Sequence, residues 1–208
     1  MKVVVPRWFF RMRYGEAASF LASGQNVRPT RLLEAGFRFV KPTIEDFFEG
    51  TDHAAVDRLD LHRYMGTWYE IARFDHRFER GLSEVTATYT LMPDGTVRVE
   101  NRGCKHKKPY DVCKTAEGRA KIPDPSQPGK LKVSFFLSFY SDYYVLELDQ
   151  DEYNYALIGS SSDKYLWILS RVPILPEEIK KKLLDAATRR GYDVRKLIWV
   201  EQREKKIM

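Results

Sequence analysis

Little in this 208-residue sequence announces chemistry. Its two cysteines, Cys104 and Cys113, even with His106 between them, fall short of the four ligands a structural zinc site uses. No metal is expected. No Ser-His-Asp order, phosphate-binding glycine loop or His-Glu-x-x-His motif occurs, so neither catalysis nor a cofactor is expected. No apolar stretch approaches the roughly 20 residues of a membrane-spanning helix. The first residues place Pro6, Arg7 and Arg11 where a secretory signal needs an uninterrupted apolar run, and no cysteine precedes Cys104. The chain as written is therefore expected to carry neither a signal peptide nor a lipoprotein anchor near its start. Nor is there a basic arm for nucleic acid. The net charge of +6 is spread widely, and the small clusters Lys105/Lys107/Lys108 and Lys180/Lys181/Lys182 read as solvated faces or as sites for anionic lipid or phosphate.

What is present is a core-forming composition, with 43% hydrophobic and 13% aromatic residues, enough to bury a core and to argue against disorder. The pattern shifts near residue 58. Residues 1–57 read as an extension with two short amphipathic pieces, 31–39 and 43–48. From 58 to 203 the chain reads as one domain of short strands and turns, with 204–208 as a tail. Val85, Ala87, Tyr89 and Leu91 alternate with Glu84, Thr86, Thr88 and Thr90, the pattern of a half-buried strand. Pro93-Asp94-Gly95 supplies a hairpin turn, and Val97 and Val99 continue on the return strand. Further strands are read over 117–122, along Leu131, Val133, Phe135, Leu137 and Phe139, and over 143–148, 153–158 and 165–171. The period then becomes helical: Pro176 opens, Glu177 and Glu178 suit the positive dipole end, and Gly191 stops the helix. A last strand covers 196–200. Eight antiparallel strands followed by one helix predict an all-β, up-and-down barrel with the helix packed outside, wide enough inside for one small ligand.

Gly66-Thr67-Trp68 is the most informative segment, because a glycine feeding a strand that begins with tryptophan reads as the plug of such a barrel. It runs on through Tyr69-Glu70-Ile71-Ala72-Arg73. With Asp151-Glu152-Tyr153-Asn154-Tyr155-Ala156 and Tyr165-Leu166-Trp167-Ile168-Leu169-Ser170-Arg171 it makes three motifs in order. From about residue 59 to 202 the chain resembles the lipocalins, specifically bacterial lipocalins of the outer-membrane lipoprotein type, a group related to apolipoprotein D. The second motif lacks the family's threonine. The resemblance implies a carrier or store for small hydrophobic ligands such as fatty acids or lysophospholipids. It also implies a place in the cell envelope, outer membrane or periplasm, against which the N-terminus stands. Membrane-surface association and a homodimer are further possibilities.

The residues assign parts of the barrel. Gly66, Trp68 and Arg171 are read as the floor, with the guanidinium laid over the indole. If Arg171 points inward, so do Leu169, Trp167 and Tyr165; if Trp68 does, so do Glu70 and Ala72. Val85, Ala87 and Tyr89, Val97 and Val99, and Leu131, Val133 and Phe135 are expected to face the ligand, although the same side chains could fill a solid barrel. Glu70 needs a partner, Arg171 or Tyr89, unless it orients a head group. Arg73, Lys105 and Lys107 read as solvated surface, or as contacts for an anionic head group at the rim. Cys104 and Cys113 flank a hairpin tip and form a disulfide if an oxidising compartment allows; otherwise they are free thiols, with His106 as a neighbouring metal ligand. Some relatives are isomerases that use a cysteine inside the barrel, but these two lie away from the expected cavity. A haem barrel would want an inward histidine, and His53, His62, His76 and His106 fall in loops or before the first strand. A partner-interaction module using the extension is the remaining alternative.

Overall fold

Strand alternation closes on itself in this chain, and a computed structural model shows how. It describes residues 30–34, 36, 50–106, 110–136 and 139–203. Two units divide the chain, Met1–Phe39 and Val40–Met208. In the first, α1 (Thr30–Glu34) is a short helix overlapping the 31–39 piece. The 43–48 piece lies outside the described residues, as do residues 1–11, Lys107, Lys108, Leu137 and the 204–208 tail.

In the second unit, α2 (Leu61–Tyr64) precedes the strands, and Asp60 caps it by accepting from the His62 and Arg63 amides. Then follow β1 (Gly66–Phe74), β2 (Ser83–Leu91), β3 (Val97–Lys105) and β4 (Val112–Lys121). β5 (Lys130–Phe136), β6 (Phe139–Leu148), β7 (Tyr155–Gly159) and β8 (Leu166–Ser170) continue the meander. Helix α3 (Glu177–Arg189) and β9 (Leu197–Trp199) end it. From β1 to β8 each strand pairs antiparallel with the next, and β8 pairs with β1, which closes eight strands into a barrel and leaves β9, paired with the end of β1, outside. The continuous strand expected through Phe139 is instead two, because β5 ends at Phe136 and Phe139 opens β6.

β1 serves two neighbours on one edge. Its first residues, Gly66 to Tyr69, pair with β2, and its last, Ala72 to Phe74, pair with β9. Between them the strand bulges at Ile71, so that Glu70 opposes Leu169 while Ala72 opposes Ile168 and Arg73 opposes Trp167. A bulge inserts one residue and shifts the alternation by one. β2 is irregular at the same level, between Ser83 and Thr86, where Glu84 has a positive φ of 49°. The seam is stitched by the C-terminal segment: the Gln202 side-chain amide donates to the carbonyls of Glu70 and Val85, at 2.8 and 2.9 Å.

Two apolar clusters result. One lies inside the barrel, with Trp68, Tyr89, Val97, Val99, Leu131 and Leu169 among its members. The other lies between the barrel wall and α3, where Ile71, Ala72, Leu157, Ile168, Leu183 and Ala187 meet. The wall is thus buried on both sides where the helix covers it. Residues 52–59 are packed on the barrel as well. The Val56 amide donates to the Val145 carbonyl at 2.8 Å, and Val56 and Leu59 pack against the interior cluster.

Candidate functional site

The barrel is closed at the end where β1 begins. Trp68 is fully buried there, and its indole Nε1 donates to the Tyr64 carbonyl at 2.9 Å. Arg171, just past the end of β8, lays its guanidinium 3.9 Å from the centre of the Trp68 ring. The same guanidinium donates to the carbonyls of Arg63, Tyr64, Met65 and Thr67 at 2.8 to 3.1 Å, and its Nε to Tyr153 at 3.3 Å. The carbonyls at the end of α2 and beyond it lack helical partners, so one arginine satisfies the plug and stacks on it. Gly66 serves the turn into β1 through its backbone, since its φ of +93° is one that other residues rarely adopt; a Cβ there would only touch the Arg171 guanidinium, at 3.4 Å.

Above this floor is a cavity of about 900 Å³. Strand parity decides its walls. β2 places Val85, Ala87 and Tyr89 on it, β3 places Val97 and Val99, and β5 places Val133 and Phe135. On β8, Leu169 and Trp167 face it, with Tyr165 at the rim. Gly118 on β4 lets the Phe135 ring lie against the sheet, since a Cβ there would come within 2.7 Å of the ring. The opposite end of the barrel is open, and Phe78, Phe136 and Phe139 stand around it 77%, 70% and 75% exposed. A closed floor, a long apolar wall and an open mouth are the parts of a container for one apolar molecule.

Comparison with known proteins bears on the same segment. A family model described as a lipocalin-like domain matches residues 59–202. The chain belongs to the lipocalin family. The outer membrane lipoprotein Blc of Citrobacter freundii is 50% identical over 147 residues, 71% of this chain and 81% of that protein. Temperature-induced lipocalin-1 of Arabidopsis thaliana is 42% identical over 158 residues, 72% and 82% of the two chains. Apolipoprotein D of Mus musculus is 34% identical over 154 residues, 70% and 78% of the two chains. Among solved structures, insecticyanin of the tobacco hornworm Manduca sexta aligns with a TM-score of 0.60 at 23% identity, covering 74% of this chain and 87% of that one; this likeness shows the fold. A second model, a domain of unknown function (DUF1731), matches residues 5–50. Family membership implies binding of a small hydrophobic ligand.

This lipocalin departs from simple alternation on β1. Ala72, expected inside, packs toward α3, because the bulge at Ile71 reverses the parity. The same reversal buries Arg73, expected at the surface, to 2% exposure. The partner expected for Glu70 was Arg171 or Tyr89; instead Arg73 Nη1 donates to Glu70 Oε1 at 2.6 Å. Arg73 also donates to the carbonyls of Glu79 and Leu82, at 2.7 and 3.1 Å, fastening the 75–82 loop over the cavity. Glu79 Oε2 lies 2.7 Å from His76 Nε2 and accepts from the Trp167 indole at 3.2 Å. His76 sits in a loop as expected, yet that loop folds inward and the imidazole lines the cavity.

Two carboxylates therefore share one guanidinium in an apolar wall. Burial and the neighbouring Glu79 charge push the Glu70 carboxyl up to about 8, against the pull of Arg73. Burial also raises Glu79, but His76, Trp167 and Arg73 outweigh it and hold Glu79 below its ordinary value.

A second polar group joins three tyrosines, of which strand alternation in the sequence nominates Tyr89 alone. The Tyr143 hydroxyl lies 2.7 Å from that of Tyr64 and 2.9 Å from that of Tyr89, just above the Trp68 floor. Burial pushes all three phenols up. Tyr143 stands two residues from the buried Val145 on β6, so parity could have placed it inside; Tyr64 carried no such signal.

At the mouth, Cys104 pairs directly with Cys113 across β3 and β4, and the two are joined by a disulfide. The bond leaves no thiol free to act as a nucleophile or metal ligand. His106, Glu84 and Asp111 approach one another nearby, but Arg203 is already paired with both carboxylates.

Proposed function

We propose that this lipocalin carries or stores a fatty acid or lysophospholipid, with the acyl chain in the barrel and the head group at the mouth. The observation that carries the reading is the cavity of about 900 Å³, sealed by Trp68 and Arg171 at one end and open at the other. That volume lies at the upper end of the roughly 300–1,000 Å³ of small-molecule sites, and each methylene buried there contributes about 0.8 kcal/mol. Arg102, Lys105 and Lys114 line the open end and make no ion pair among the described residues, which suits an anionic head group. Titrating delipidated protein with a fluorescent fatty acid, read by quenching of Trp167, is expected to saturate at one ligand per chain. Absence of saturable binding would sink the proposal.

The mouth also supports loading from a lipid surface. Exposed Phe78, Phe136 and Phe139, at the same mouth as Arg102, Lys105 and Lys114, resemble the aromatic and basic mixture that favours an anionic bilayer interface. Flotation with vesicles is expected to carry the protein with phosphatidylglycerol more than with phosphatidylcholine, and the Phe136→Ser/Phe139→Ser variant is expected to stay behind. Equal flotation of both proteins would remove this part of the proposal.

A further inference from the structure

The floor of the cavity holds more hydrogen-bond donors than the chain can use. Tyr64, Tyr143 and Tyr89 bring three O–H groups together, and each is a donor with acceptor capacity as well. Their oxygens make two contacts, Tyr64 to Tyr143 and Tyr143 to Tyr89. Two contacts consume two protons, whichever way each points. One O–H is left over in every arrangement. Among the described residues the three hydroxyls make no further hydrogen bond, and apolar side chains such as Val97, Val99, Leu131 and Leu169 belong to the same interior cluster. Tyr64 and Tyr89 are 1% and 7% exposed and Tyr143 is half-buried, and all three line the cavity, so the surplus hydroxyl is met by whatever occupies the cavity's deep end. An unmade hydrogen bond from a buried hydroxyl costs about 1–3 kcal/mol, and an apolar wall has no need of three phenols.

We infer that the tyrosine triad is a donor subsite at the sealed end of the cavity, built to meet a hydrogen-bond acceptor on the deep end of the ligand. The inference rests on the carrier reading above and deepens it. A plain hydrocarbon terminus leaves the third donor unmet. A ligand oxygenated near the end of its chain, as a ketone or ester carbonyl, satisfies it without bringing a charge into the cavity. The raised phenol pKa values agree with this, because the groups stay protonated and act as donors. A carboxylate entering head-first would offer the same acceptor chemistry, and the experiment separates the two sources.

The design of the variant follows from the count. Removing either end hydroxyl still leaves one donor too many, removing that of Tyr143 leaves two, and removing any two leaves one. Only Tyr64→Phe/Tyr89→Phe/Tyr143→Phe removes the surplus, and replacing all partners by rings of the same shape is close to neutral for stability. Palmitic acid and its analogue with a ketone one carbon from the far end are titrated against both proteins, with thermal unfolding as a check on folding. The ketone is expected to bind the natural protein about threefold to tenfold more tightly than palmitic acid, the worth of one net hydrogen bond, and to lose that advantage in the triple variant. If palmitic acid itself weakens in the triple variant, the acceptor is its carboxylate, bound head-down, and the donor subsite stands. If the two ligands bind equally and the triple variant changes neither, a water molecule serves the third donor and the inference is overturned. If neither ligand binds the natural protein, the carrier reading fails and takes the subsite with it. A triple variant that does not fold is replaced by comparing hexadecane with 2-hexadecanone in the natural protein, a pair without a carboxylate, where tighter binding of the ketone supports the inference and equal affinities overturn it.

Discussion

Replacing Arg171 by alanine should unfasten the barrel floor while leaving the ligand wall in place. The guanidinium donates to part-buried carbonyls of Tyr64 and Met65 and to exposed carbonyls of Arg63 and Thr67. The exposed pair rehydrates and contributes little. The part-buried pair loses about 1 kcal/mol each, at the low end for a stranded acceptor because the Tyr64 carbonyl keeps the Trp68 indole. Loss of the guanidinium from the Trp68 face adds about 1 kcal/mol. The total is about 3 kcal/mol, which in a domain of this size lowers Tm by roughly 6–12 °C. Arg171→Lys keeps a charge but not the planar fork, so it should recover less than half. Differential scanning calorimetry and urea unfolding measure the loss, and the fatty-acid titration on the same samples measures affinity below Tm. Affinity should change less than about threefold. A stability loss below about 1 kcal/mol, the worth of an exposed ion contact, would refute the idea that Arg171 fastens the floor. So would an affinity loss that exceeded the loss of stability.

Trp167→Ala, by contrast, removes cavity wall, and should weaken fatty-acid binding about tenfold and more than Arg171→Ala at matched stability; the reverse order would mean the wall is wrongly assigned. Glu70 predicts a pH dependence. Its folded value of about 8 lies above its ordinary 4.5, so the folded state holds a proton that the unfolded state releases between these values. Its contribution to stability is complete below about 4.5 and is lost as pH rises to about 8. Tm of the natural protein should fall across that window and that of Glu70→Gln should fall less; parallel curves would remove Glu70 as the cause. Glu79, held low, acts below the window and does not mimic this effect.

The cavity wall was legible wherever a strand keeps its period. Val85, Ala87 and Tyr89, Val97 and Val99, and Trp167 and Leu169 fall on it because side chains alternate. Reading failed at Ala72 and Arg73, since the bulge at Ile71 reverses parity without a glycine or proline to mark it. Glu70 was recognised as a charge in need of a partner, but the partner was three residues away, hidden by that same bulge. His76 and Glu79 belong to a loop, and nothing local shows that a loop folds over an opening.

By itself, then, the sequence determined the container. Period-2 alternation, turns at the right intervals and the helix after β8 allow one closure, and Trp68 and Arg171 mark its sealed end. Tertiary structure decided which polar groups meet inside. Tyr64, Tyr89 and Tyr143 come from a helix and two strands that are not neighbours in the sheet, and their hydroxyls touch only because the barrel is closed. Alternation is a property of each strand alone, whereas contact across a cavity depends on the curvature, register and bulges of all of them together.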